Sequence, residues 1–67
     1  MNIHTFENLQ LQTNEEIVIE KKGSEQFAGT FLNEYDNSSL TFKFLNHSNG
    51  QTDIIAIDKL QQLRRNK

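Results

Sequence analysis

Sixty-seven residues with a formal net charge of −2, no cysteine and two histidines leave no disulfide framework, and His4 and His47 lie too far apart for a local zinc spacing. A chain of this length buries only about 60% of its unfolded surface, so a single domain over residues 1–67 with a thin core is expected, and self-association into a homo-oligomer is the usual way to cover more of it. No apolar run approaches the roughly 20 residues that span a bilayer, and Met1-Asn2-Ile3-His4-Thr5 lacks a basic-then-apolar leader; the expectation is a cytoplasmic protein with no membrane partner and no cofactor.

Along the chain, residues 5–11 allow a short helix capped by Thr5, with Ile3, Phe6 and Leu9 on one stripe. The alternation Leu9-Gln10-Leu11 equally allows a strand. A short N-terminal helix across one barrel opening is the expectation taken forward. From Glu16 to Lys22, the β-branched Ile17, Val18 and Ile19 predict a first strand, and Lys22-Gly23-Ser24-Glu25 a turn. Phe27 to Leu32 predicts a second strand, with Gly29 on the same face as Phe27 and Phe31, where a missing side chain lets the strand bend. The stretch 33–39 is rich in Asn, Asp and Ser, whose side chains bond their own backbone, and predicts an ordered turn.

Leu40, Phe42 and Phe44 predict the inward face of a third strand, with Lys43 interrupting a sticky surface window. Asn49-Gly50 is a hairpin signal and leads into a fourth strand at Thr52 to Ile57. Asp58-Lys59 predicts a tight corner. Leu60 and Leu63 then suit either a one-turn helix followed by a fifth strand or a C-terminal helix capped by Asp58. The fold class is mainly β: an SH3-like or Sm-like small bent barrel of about five antiparallel strands with a short N-terminal helix.

Charge is unevenly spread. Residues 1–58 carry three basic and nine acidic side chains, whereas residues 59–67 carry four basic and none acidic. The short basic tail at 64–67 reads either as a solvated end or as a phosphate contact, and an acidic body argues against broad duplex-DNA binding.

Gly23, Gly29, Tyr35-Asp36-Asn37, Leu40 and Ile57-Asp58-Lys59-Leu60 with Leu63 together resemble the Sm-like (Hfq-like) family over roughly residues 16–63. The resemblance implies a helix before a five-stranded bent barrel, ring-like self-association, and single-stranded RNA as ligand. The family's base-stacking aromatic would fall near Ser38, and its pore-lining Tyr-Lys-His segment on Ala56-Ile57-Asp58, replacements that neither stack a base nor donate to a phosphate. The candidate set is Tyr35 stacking on a base, Asn37 reading an edge, and Lys59, Arg64 and Arg65 holding phosphate. The competing reading has Tyr35 capping the barrel while Asp36 and Asn37 bond turn amides.

Glu15-Glu16 after Thr13 resembles a capping box rather than a metal site. No nucleophile, base and orienting group share a recognisable motif, so catalysis is not expected. A noncatalytic Sm-like module touching single-stranded RNA is the first functional expectation. An SH3-like adaptor or small regulatory protein that docks a protein partner through a strand edge is the second.

Overall fold

The computed structural model describes residues 1–66. Its elements follow one another as α1 (Ile3–Leu9), β1 (Glu15–Lys21), β2 (Gln26–Asp36), β3 (Thr41–Asn46), β4 (Gln51–Ala56), a 3-10 turn (Ile57–Lys59) and β5 (Leu60–Arg65). The strands form one antiparallel sheet in the order β4-β3-β2-β1-β5. The mainly-β bent barrel expected from the alternation is the fold observed. It curls round a core of Phe6, Ile17, Ile19, Phe31, Phe42, Phe44, Ile55, Ile57, Leu60 and Leu63. Among the described residues β4 and β5, at the two ends of the order, are not paired with each other.

The helix begins earlier than the Thr5 cap predicts. Asn2 is the cap, its Oδ1 accepting from the His4 amide at 2.7 Å, and the helix stops where Gln10 turns left-handed at φ 52°. Asparagine is the better cap because its short carbonyl reaches the free amides of the first turn. Phe6 then enters the barrel opening, stacked on Phe42 at 5.5 Å and on Tyr35 at 5.8 Å, with the edge of Phe31 at 6.1 Å. The helix therefore lies across one end of the barrel, as its apolar stripe predicts.

β2 is where sequence and structure part most. The predicted turn over 33–39 is instead strand as far as Asp36, and the turn occupies 37–40. Asn33 and Glu34 take positive φ values of 69° and 48°, and pairing with β3 slips between Phe31 and Asn33 and again between Asn33 and Asp36. The polar residues thus make a bulge inside the strand that sharpens its bend, as extra residues on one side of a ladder do. Leu40, predicted in the core face, ends the turn at φ 56° and is half-buried.

Gly29 has the role its position predicts. A Cβ there would lie 2.2 Å from the Leu45 carbonyl oxygen and 2.5 Å from the Phe44 ring. The residues after Asp58 settle as a 3-10 turn and a strand, not a C-terminal helix. Among the described residues no helix is long and apolar enough to cross a membrane.

Candidate nucleic-acid interface

Three of the five predicted contact residues gather at the barrel end that α1 covers. The 3-10 turn is bound to the β2–β3 turn by the Ile57 amide donating to the Leu40 carbonyl at 2.9 Å. The N-terminal ammonium of Met1 donates to the Leu60 carbonyl. Asn37 and Lys59 therefore sit on the two turns that the Ile57–Leu40 bond joins, and Tyr35 lies two residues before Asn37 at the end of β2.

Their states differ. The Tyr35 ring stacks on Phe6 with planes 28° apart and is half-buried, and its hydroxyl lies 3.4 Å from Asn37 Oδ1. Asp36 Oδ1 accepts from the Ser38 hydroxyl at 2.7 Å and the Ser38 amide at 2.9 Å. Those two bonds, the hydroxyl first, hold the carboxyl below its ordinary range. The barrel-capping role weighed for Tyr35 and the turn-bonding role weighed for Asp36 are both present. Lys59 is exposed, and Lys43 nearby is spent on Glu34 at 3.1 Å. With Glu34 and Asp36 at the end of β2 and Asp58 on the 3-10 turn, this surface offers an aromatic and amide groups more than net positive charge.

Arg64 and Arg65 do not join this cluster. They pair with Val18 and Ile17, at the far end of β5 from Leu60, which pairs with Lys21. At about 3.3 Å per residue, Arg65 is roughly 16 Å along the strand from Leu60. Arg64 is exposed, whereas Arg65 is half-buried. The Arg65 guanidinium donates from Nε to Glu15 and from Nη2 to the Leu9 and Gln10 carbonyls. A basic tail wholly in solvent is thus corrected: Arg65 closes the C-terminal end of α1 onto β1, where cationic groups meet free helix carbonyls favourably. Lys67 lies outside the described residues.

Sequence reasoning missed that clamp because its members are 50 and 56 positions apart. Glu15 does fold back on the Gln12 amide at 3.0 Å, as a capping box would, but a strand follows instead of a helix.

A second cluster also escaped notice. The Thr30 hydroxyl donates to Glu16 Oε2 at 2.7 Å, and His47 Nε2 lies 2.9 Å from that hydroxyl and 3.6 Å from Glu16 Oε1. A nucleophilic triad needs one imidazole nitrogen on the hydroxyl and the other on the acid. Here Nε2 meets both, so the group works as a polar clasp joining β1, β2 and the β3–β4 turn. Among the described residues no three His, Asp or Glu side chains converge as metal ligands.

The third missed feature is a groove of about 250 Å³ between the ends of the sheet, lined by Lys21, Ile54, Ile55, Ala56, Lys59 and Leu60. Ile54, on its rim, is 67% exposed, the only large hydrophobic so exposed among the described residues.

Comparison of the chain with protein-family models, with curated proteins and with solved structures finds no match.

Proposed function

We propose that this chain is a noncatalytic, Sm-like small-barrel module that self-associates through the edges of β4 and β5 and contacts single-stranded RNA at the barrel end carrying Tyr35, Asn37 and Lys59. The observation that carries the reading is the sheet order: among the described residues, each terminal strand of one bent sheet has a second edge that pairs with no other strand. Such edges are templates for another strand, and one copy's β4 can meet the next copy's β5 head to tail. The order of elements, helix, four strands, 3-10 turn and fifth strand, agrees with what the family resemblance implies. RNA contact is supported by a half-buried aromatic beside an amide and a lysine, a combination suited to base stacking with few phosphate contacts.

Light scattering joined to titration of U-rich and A-rich oligonucleotides tests both halves. A particle of several copies that binds either oligonucleotide is the expected result. A single chain in solution removes the assembly half, and no binding at tens of micromolar protein in low salt removes the RNA half.

The groove favours a second reading, an SH3-like adaptor that docks an extended protein segment on β4. An exposed isoleucine beside an unpaired strand edge is a surface that β-strand addition uses.

A further inference from the structure

We infer that the groove between β4 and β5 is a docking site for an extended acidic peptide, added as a sixth strand on β4, with its carboxylates on Lys21 and Lys59 and an apolar side chain on Ile54. This rests on the adaptor reading and names the partner's chemistry.

The backbone comes first. The Ile57 amide bonds the Leu40 carbonyl, and β4 then pairs with β3 in unbroken register from Ala56 opposite Thr41 to Gln51 opposite Asn46. Antiparallel ladders alternate bonded and non-bonded pairs. Ile57 therefore fixes Ile55 and Asp53 as turned toward β3, and Ala56, Ile54 and Thr52 as turned to the open side. Three consecutive outward residues offer N–H and C=O groups to an incoming strand.

The side chains then set what that strand must carry. A residue paired opposite Ile54 stands on the same face as its exposed side chain and gains by being apolar. Its two neighbours point to the other face, over the groove. Both charged side chains lining that groove are lysines, Lys21 and Lys59. The Lys21 ammonium lies 5.2 Å from the Phe27 ring centroid, an aromatic contact that keeps it at the groove edge, and Lys59 has no carboxylate partner in the described structure. Glu20 and Asp58 adjoin the two lysines in sequence but do not line the groove. Lys21 stands in a stretch of 58 residues that is acidic by nine to three and Lys59 opens the basic end of the chain; brought together beside the exposed isoleucine, the pair selects an acidic partner over a basic one. The pattern that fits is Glu-Val-Glu centred on Ile54, with the longer glutamate stem lying against Ile55 and Leu60.

The test uses labelled synthetic peptides of alternating valine and glutamate, with glutamine replacing glutamate in the control, titrated with the whole chain while light scattering follows its mass. Expected are tighter binding of the glutamate peptide by about tenfold, loss of that advantage in Lys21→Gln/Lys59→Gln, and loss of all binding in Ile54→Pro, which removes an outward N–H. Equal binding of both peptides overturns the acidic preference and leaves edge docking standing. Binding of neither peptide overturns both the inference and the adaptor reading. If the chain is assembled, excess glutamate peptide is expected to lower its mass, because β4 holds one occupant; an unchanged mass with no peptide bound also overturns the inference.

Discussion

Gly29 is where β2 leaves no room for a side chain against β3. The added methyl of Gly29→Ala would have to displace a backbone carbonyl, that of Leu45, as well as the Phe44 ring. A carbonyl in a paired strand cannot rotate away as a flexible side chain can. Overpacking of this kind costs about 1–3 kcal/mol, and for a domain this small the upper half of that range lowers Tm by about 10–20 °C. Calorimetry or thermal circular dichroism checks this; an unchanged Tm for Gly29→Ala would mean that β2 does not cross Phe44 this closely.

Two further predictions belong to single residues. Arg64 and Arg65 are adjacent and both were candidate phosphate contacts, yet only Arg65 is tied to Glu15 and to the end of α1. Arg65→Ala is expected to destabilise the fold by about 1.5–3 kcal/mol, the range for hydrogen bonds to charged groups. Arg65→Lys keeps the charge but loses the fork that serves three acceptors, and should recover only part of it. Arg64→Ala should leave denaturant midpoints unmoved. A reversed pattern in urea melts would overturn this assignment of roles.

Asp36 has a folded-state pKa lowered first by the Ser38 hydroxyl and then by the Ser38 amide. A depressed carboxyl contributes stability that is present above its unfolded value, near 3.9, and lost as pH falls through the lower folded value. Ser38→Ala removes the first cause and keeps the second. The Asp36 carboxyl resonance in that variant is therefore expected to titrate at higher pH than in the parent, though still below an ordinary aspartate. Coincident titration curves would show that the hydroxyl contributes nothing.

At the scale of elements, what could be read in advance depended on how local the deciding interaction was. The alternation of β3 and β4 was legible because each buries one face by a period of two, whereas β1 was legible from its β-branched run, Ile17, Val18 and Ile19, all three of which are buried. Asn33 was legible as a turn-former, and it does take the left-handed conformation. Whether that conformation ends a strand or bulges it depends on the partner. Here the Asn14 amide bonds the Phe31 carbonyl at 2.7 Å and Asn33 Nδ2 reaches Thr13 Oγ1 at 3.1 Å, so the α1–β1 loop holds the chain in the sheet beyond the kink. Those contacts, like the Arg65 clamp and the lysine pair of the groove, join positions far apart in sequence. The candidate site was legible where neighbours in sequence form it, at Tyr35 and Asn37. It was not legible where the choice between strand and helix after Asp58 decides, because the extended β5 is what carries Arg64 and Arg65 away from Lys59.

β4 supplies the prediction proper to an element. Alternation from Ile57 turns the Asp53 amide inward to β3 and the Ile54 amide outward. Proline is tolerated on an edge strand where the missing N–H faces solvent, and not where it breaks the ladder. Ile54→Pro should stay folded within about 1 kcal/mol of the parent, because a surface change away from packing is usually small. Asp53→Pro should fall well below Asp53→Ala, which controls for loss of the 3.4 Å contact with Asn46 Nδ2. A reversed ranking of the two proline variants in urea would place the ladder one residue out of register, and equal stability would mean that the β4 amides do not alternate between β3 and solvent.

For the whole molecule, the proposed function has the two open edges couple assembly to RNA binding, with the consequences that this proposal entails. Each copy has one β4 edge and one β5 edge, so head-to-tail pairing closes into a ring when the rotation per copy allows it and extends into a filament when it does not. In either case the ends bearing Tyr35, Asn37 and Lys59 recur along one surface at a fixed spacing. A single such end, with Lys43 already paired and three carboxylates on its turns, can neutralise only about one or two phosphates, which gives a shallow salt dependence. Repetition raises apparent affinity without new contacts, because a strand held at one end meets the next at high effective concentration. Ile54→Pro separates the two effects, since it alters the β4 edge and leaves Tyr35, Asn37 and Lys59 in place. Its expected behaviour is a single-chain mass and RNA affinity reduced by more than tenfold relative to the assembled parent, with the same shallow salt slope per copy. If the variant is monomeric and yet binds RNA as tightly as the parent, the barrel end acts alone and assembly serves another purpose.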